Sequence, residues 1–273
     1  MGLLAYKPMS ISRLDCDIFR GEGVVPDASS YVALNPGLER AQAAFVGATA
    51  VAEGIGSQVA YTLGLEYFVK GLLESSSEGG SFANEEQITN VLEDAFRIAN
   101  SSVYNFGHKL AAGGRMAASM MACVVSGASL VAGRVGSSSV YLYRDAQLFP
   151  LFPSDGVDTT VIGDIGEELV SVPDQRLSYI GAHAIVDVSI ASVNMEPGDT
   201  VVIFSRPLTG LNETLLFQYL ETTADTGSDG EFGRQVRRAE DLCLDVFTDP
   251  DTVSFCCLLS MGPDTIYCSK VVG

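Results

Sequence analysis

Two helix-forming stretches stand back to back in this chain, with strand-forming runs on both sides of them. Over 57–73, Val59, Leu63, Phe68, Val69 and Leu72 share one helical face. The SSSEGGS segment at 75–81 breaks the pattern. Asn84 then offers an N-cap with Gln87 three residues on, as in a capping box. Apolar positions recur at Ile88, Val91, Leu92, Ala95, Phe96, Ala99, Val103 and Phe106, which predicts a long second helix with one buried face. A second pair follows, over Glu213–Leu220 and along the face of Phe232, Val236, Ala239, Cys243 and Val246. Paired helices between runs of strands predict antiparallel sheets covered by helices, because a doubly wound parallel sheet needs strict alternation.

The strand-forming runs divide accordingly. Two short strands are expected within 1–34, around a Gly/Pro/Ser-rich connection at 21–30, and a central one at 43–51. Further strands are expected at 116–125, 129–135, 140–143 and 147–151, with Arg144-Asp145-Ala146 as the tight turn between the last two. The run at 200–204 reads as a strand buried on both faces, and 253–261 and 265–272 close the chain. Residues 152–182 are rich in Gly, Asp and Pro and read as an irregular flap. No repeat or linker divides the sequence, so one domain is expected over 1–273.

Composition narrows the function classes. Apolar residues make up 47% of the chain, enough for a large core and too many for a disordered protein. The formal charge of −18 repels a phosphate backbone, so no nucleic-acid partner is expected. None of the six cysteines makes a C-x-x-C pair, and most lie in apolar runs, where a reduced thiol behaves as a small hydrophobe. A reducing cytoplasm without a zinc site is the expectation. No signal peptide and no membrane-spanning run is read, and Tyr6 stands where a myristoylation signal wants Ser or Thr.

The stretch EPGDTVVIFSRPLTG at 196–210 carries the sharpest question, since Arg206 and Pro207 stand where a core strand emerges. Three longer segments set the context: GGRMAASMMACVVSG at 113–127, SLVAGRVGSSSVYLYRDAQL at 129–148, and 179–210 ending in SRPLTG. In order and spacing they resemble the metal-dependent serine/threonine protein phosphatases of type 2C. The resemblance spans roughly residues 10–262. It implies an α+β fold, a four-layer α-β-β-α sandwich of two antiparallel sheets flanked by helix pairs. It also implies a site at one end of the sandwich, where aspartates hold two Mg²⁺ or Mn²⁺ ions that activate a water. Such hard cations demand oxygen ligands, mostly carboxylates, and two of them clamp the attacking and leaving oxygens.

Carried over position by position, that ligand set is largely missing. The early acidic position of the family falls on Ser30, with Asp27 nearby. Its Ala-Asp-Gly stretch falls on Ala48-Thr49-Ala50, so Thr49 replaces the bridging aspartate and Ala50 replaces the glycine that lends a carbonyl. A rival register uses Glu53 as the acid and needs a four-residue insertion. The Val-Gly-Asp-Ser core falls on Val135-Gly136-Ser137-Ser138, which puts Ser137 at the aspartate. The Ser-Asp-Gly-Leu motif falls on Ser205-Arg206-Pro207-Leu208, and only Asp251 survives of the last Asp-Asn pair. A guanidinium 4 Å from a divalent ion would be repelled by about 8 kcal/mol at an effective dielectric near 20. Arginine cannot deprotonate to relieve this. Loss of Mg/Mn binding and of catalysis is therefore expected, so the chain reads as a pseudophosphatase.

The remaining readings are alternatives of differing weight. Arg206 is expected to pair with Asp251; it could instead take a phosphoryl group, or face solvent without a role. Ser30, Thr49 and Ser137 lack an adjacent base and read as small polar fillers. His108 reads as a helix C-terminal cap, and His183 is assigned no role. Gly54-Ile55-Gly56 lacks the third glycine of a nucleotide loop, and Asp155, Asp158 and Asp164 lack a calcium pattern. A regulatory or scaffolding module that binds a protein partner is the leading expectation, with the flap at 152–182 as the contact surface. A residual metal-dependent phosphatase and a phospho-ligand sensor at Arg206 are the alternatives. A homo-oligomer is compatible with all three.

Overall fold

The computed structural model describes residues 13–19, 28–35, 42–51, 55–77, 82, 84–110, 116–152, 178–196, 198–224, 239–247, 256–262 and 267–268. The first sheet is formed by strands β1 (Arg13–Phe19), β6 (Ser139–Arg144), β7 (Gln147–Pro150), β9 (Thr200–Phe204), β10 (Cys256–Gly262) and β11 (Tyr267–Cys268). The second is formed by β2 (Ala28–Asn35), β3 (Gln42–Ala50), β4 (Ala118–Ser126), β5 (Ser129–Val135) and β8 (Ser189–Asn194). The orders are β11-β1-β10-β9-β6-β7 and β2-β3-β4-β5-β8. Every pairing is antiparallel except that of β11 with β1.

Three apolar layers stack these sheets with the four described helices. Helices α1 (Ile55–Ser77) and α2 (Glu85–Lys109) cover the second sheet through Phe68, Leu72, Leu92, Phe96, Val103 and Met120. Between the sheets lie Phe45, Met121, Leu130, Val140, Val201 and Ile203. Helices α3 (Gly210–Ala224) and α4 (Ala239–Val246) cover the first sheet through Val202, Phe204, Leu216, Leu220, Leu242 and Val246. The alternation along β9 supplies both inner layers: Val201 and Ile203 face the other sheet, while Val202 and Phe204 face helices. This is the expected α-β-β-α sandwich.

Local signals account for most element ends. The Asn84 side chain accepts from the Gln87 N–H at 2.9 Å and starts α2. Asp145 and Ala146 have φ of 50° and 56°, the left-handed pair of a two-residue hairpin, and Arg144 itself closes β6. Three expectations are corrected. Helix α1 continues through Ser77, into the segment read as a break. Helix α3 runs over 15 residues rather than the shorter 213–220. Strand β8 was not anticipated; it is a half-exposed edge strand, and its side chains form no long apolar run. Phe232, Val236 and most of the flap lie outside the described residues.

Candidate functional site

The pairing registers bring the strand ends that carry the suspect positions to one end of the sandwich. Thr49 and Ala50 close β3, in register with Ser119 and Ala118 at the start of β4. Ser30 lies near the start of β2, opposite Val46. Val135 closes β5, and only Gly136, Ser137 and Ser138 separate it from Ser139 of β6, in the other sheet. Ser139 is in register with Phe204, the last residue of β9, and Cys256 starts β10 on its other side. Arg206 therefore emerges beside the crossover that carries Ser137. Asp251 and Glu53 lie outside the described residues.

The crossover is fixed by sterics. Gly136 has φ of +96°, and a Cβ there would collide with Ser119. The Ser137 N–H points at the Ser119 Oγ, 3.5 Å away, and the Ser138 carbonyl accepts from Arg134 at 3.0 Å. Thr49 Oγ1 is buried and has no hydrogen-bond partner among the described residues. At the end of β9, Ser205 is buried and Arg206 is half-buried, its guanidinium carbon 5.5 Å from the Phe247 ring centre. Arg206 thus makes a cation–π contact with the residue that follows α4.

Arg134 is the site feature that sequence reading missed. It is 7% exposed and lies on β5, two residues beyond Ala132, on the face that packs between the sheets. Its guanidinium carbon is 4.9 Å from the Phe152 ring centre. A small cleft beside it is lined by Arg134, Ser139, Tyr141, Phe152, Pro207 and Leu208. The available signal was an arginine at an inward position of an otherwise apolar strand. Tyr141 donates to Glu213 of α3 at 2.6 Å and so ties the first sheet to the outer helices. The two histidines lie elsewhere. His108 is stacked on Tyr104 in the last turn of α2, where Leu110 rather than His108 is the cap, and His183 is exposed.

Burial, with Glu213 adding to it, pushes the Tyr141 phenol above the ordinary tyrosine range. The folded state therefore holds this proton more tightly than the unfolded chain. The resulting stabilisation is complete below about pH 10 and is lost as pH rises beyond it. Tyr141→Phe is expected to flatten that alkaline loss, measured as urea midpoints between pH 8 and 11. An unchanged slope would show that Tyr141 does not carry it.

A pair of Mg²⁺ or Mn²⁺ ions does not fit the described donors. Thr49 and Ser137 offer neutral hydroxyls, and Arg206 brings a positive charge. No group of three or more acidic, histidine or cysteine side chains that could hold a metal ion occurs among the described residues. No helix among them is long and apolar enough to cross a membrane.

Comparison with known proteins yields the fold. No family model matches this sequence. No curated protein matches it either. Among solved structures, PppA of Pseudomonas aeruginosa, described as a key regulatory component of T6SS, superposes with a TM-score of 0.60 at 15% identity, over 93% of this chain and 99% of its own. The serine/threonine phosphatase PstP/Ppp of Mycobacterium tuberculosis gives 0.57 at 17% identity, over 94% and 99%. A PstP catalytic domain in complex with two manganese ions gives 0.60 at 15%, over 92% and 98%. The chain has the fold of the type 2C serine/threonine phosphatases.

Proposed function

We propose that this chain is a catalytically silent domain with the type 2C phosphatase fold, acting by binding a protein partner as a regulatory or scaffolding module. The observation that carries this reading is Arg206. It follows the end of β9 beside the Ser137 crossover, at the same end of the sandwich as Thr49. A fixed cation among hydroxyls opposes the charge that two divalent ions require. On this reading the domain spans 1–273, resides in the cytoplasm, and uses its surface in place of a metal centre. Phe152, where the flap at 152–182 begins, packs on Arg134 beside the same end.

The test is calorimetric titration of the purified chain with Mn²⁺ and Mg²⁺, with a generic phosphoester assay on the same sample. No saturable heat and no turnover are expected. Stoichiometric metal binding with turnover abolished by Asp251→Asn would overturn the proposal and favour a rebuilt site using Asp251 and Glu53. A phospho-ligand sensor is the second reading, favoured by the half-buried guanidinium of Arg206, which follows the buried Ser205 at the end of β9. It requires saturable binding of a phosphoserine peptide that Arg206→Ala removes.

A further inference from the structure

We propose that the outer edge of β8 receives an extended segment of a partner protein, with an uncharged centre and basic flanks, by strand addition. Strand β8 is the outermost strand of the second sheet, and each of its residues is at least partly exposed. Its register on β5 is unbroken, from Ser189 opposite Arg134 to Asn194 opposite Ser129. One pair beyond, the Met195 N–H donates to the Ala128 carbonyl at 2.7 Å. Hydrogen-bonded pairs alternate with non-hydrogen-bonded ones along an antiparallel ladder. Ser189, Ala191 and Val193 therefore bond to β5 as Met195 does, and the N–H and C=O groups of Ile190, Ser192 and Asn194 point away from it. The Asn194 carbonyl fits this alternation, since it accepts from Arg144 rather than from β5. The backbone groups of Ile190 and Ser192 have no partner among the described residues.

Sheet edges are ordinarily blunted by short length, proline, charge or a bulge. Among the described edges, β11 has two residues, β7 has four and ends in Pro150, and the register of β2 shifts between Ala33 and Asn35. Strand β8 has six residues, SIASVN, with no proline, no charge and no register shift. An edge left in this state is a template for main-chain pairing with another chain.

Charge selects the occupant. Asp187 precedes the strand and Glu196 follows it, both exposed, and Glu85 of α2 accepts from the Ser192 hydroxyl. Arg144 is the described cation at this edge, and Asp199 and Glu196 already hold it. A second copy of the chain would bring the same carboxylates, so like charges would meet. Lysines or arginines on either side of an uncharged run would meet opposite charge instead. Strand addition here rests on the proposed protein-binding role, but not on a silent metal end.

The test follows amide hydrogen exchange, residue by residue, in the intact chain alone and with the end-blocked peptide Lys-Arg-Thr-Val-Thr-Val-Thr-Val-Arg-Lys. In the free chain the Ile190 and Ser192 amides are expected to exchange fast, and those of Ala191 and Val193 slowly. Saturating peptide is expected to slow Ile190 and Ser192 by about tenfold or more. Exchanging the basic flanks for glutamates, or N-methylating the central amides, is expected to weaken binding by about tenfold or more. Ser192→Pro removes an outward N–H without touching the β5 ladder, and is expected to abolish binding while the unfolding midpoint changes little. The N-methylated peptide tests the same bond with the protein unaltered, so a folding defect in the variant does not blunt the result. Amides of Ile190 and Ser192 already protected in the free chain would overturn the proposal: the occupant would be another part of this chain, or a second copy if protection grows with chain concentration. Peptide binding that leaves both amides fast, or equal affinity for the glutamate-flanked peptide, would overturn it too. Metal binding and phosphoester turnover by a chain that still protects these amides would sink the silent-site reading alone. Unprotected amides in a metal-free, inert chain would sink strand addition alone.

Discussion

Arg144→Ala is expected to destabilise the fold by about 3 kcal/mol, because it strips a buried carboxylate of its cation. Asp199 is 2% exposed and sits in the turn between β8 and β9. Arg144 Nε donates to Asp199 Oδ1 at 2.9 Å, and the same guanidinium donates to the Asn194 carbonyl at 2.6 Å. The arginine thus clamps the end of β8, in one sheet, to the start of β9, in the other. The hydrogen bond to Asp199 holds the guanidinium firmly protonated. The effect is placed at the low end for broken buried pairs because the Glu196 N–H still donates to Asp199 at 2.7 Å. A fall in Tm of about 6–12 °C follows for a chain of this size. Asp199→Asn in the Arg144→Ala background removes the stranded charge and is expected to recover part of the loss. A single-mutant shift below about 0.5 kcal/mol would mean that water already satisfies Asp199.

Phe96→Ala is the second large effect, at about 3–5 kcal/mol. Phe96 is fully buried on α2 and meets Phe68 of α1 edge-to-face at a centroid separation of 4.8 Å. It also rests on Gly133 of β5, where an added Cβ would lie 2.6 Å from Phe96 Cε2 and 3.2 Å from Ile190 Cδ1. Gly133→Ala is therefore expected to cost about 1–3 kcal/mol through overpacking. The informative measurement is the double mutant. Removing the ring makes room for the methyl group, so the two losses should fall short of additive by at least about 1 kcal/mol in urea unfolding. Strict additivity would show that the helix pair and the sheet relax independently at this contact.

The same contact separates what could be read in the sequence from what could not. The apolar face of α2 was legible, Phe96 included, because helical periodicity is a local property. That Gly133 is the hole for that ring was not legible. A glycine inside a strand signals only close approach, and its partner lies 37 positions away in the chain. Strand β8 escaped notice for a related reason: an edge strand needs only half of its side chains buried, which weakens its pattern.

The candidate site divides in the same way. That Thr49, Ser137 and Arg206 stand where they do is read from the sequence, and the order of the surrounding motifs pointed to the fold that the structure has. Arg134 was passed over, since an arginine in a strand is ordinarily an outward one. Only the packing of β5 between two sheets, with Phe152 beneath the guanidinium, turns it into a buried cation. The pairing of Arg144 with Asp199 was equally hidden, because the two are brought together by the register of β6 on β9 rather than by spacing.

By itself the sequence determined the helix pairs, the central strands and the hairpin at Asp145–Ala146. These depend on residue type and on contacts within a few positions, so local chemistry decides them. The tertiary structure alone decided which strand ends share one end of the sandwich and which charges are buried against which partners. Those depend on register between distant segments, and register is settled only when all the layers pack at once.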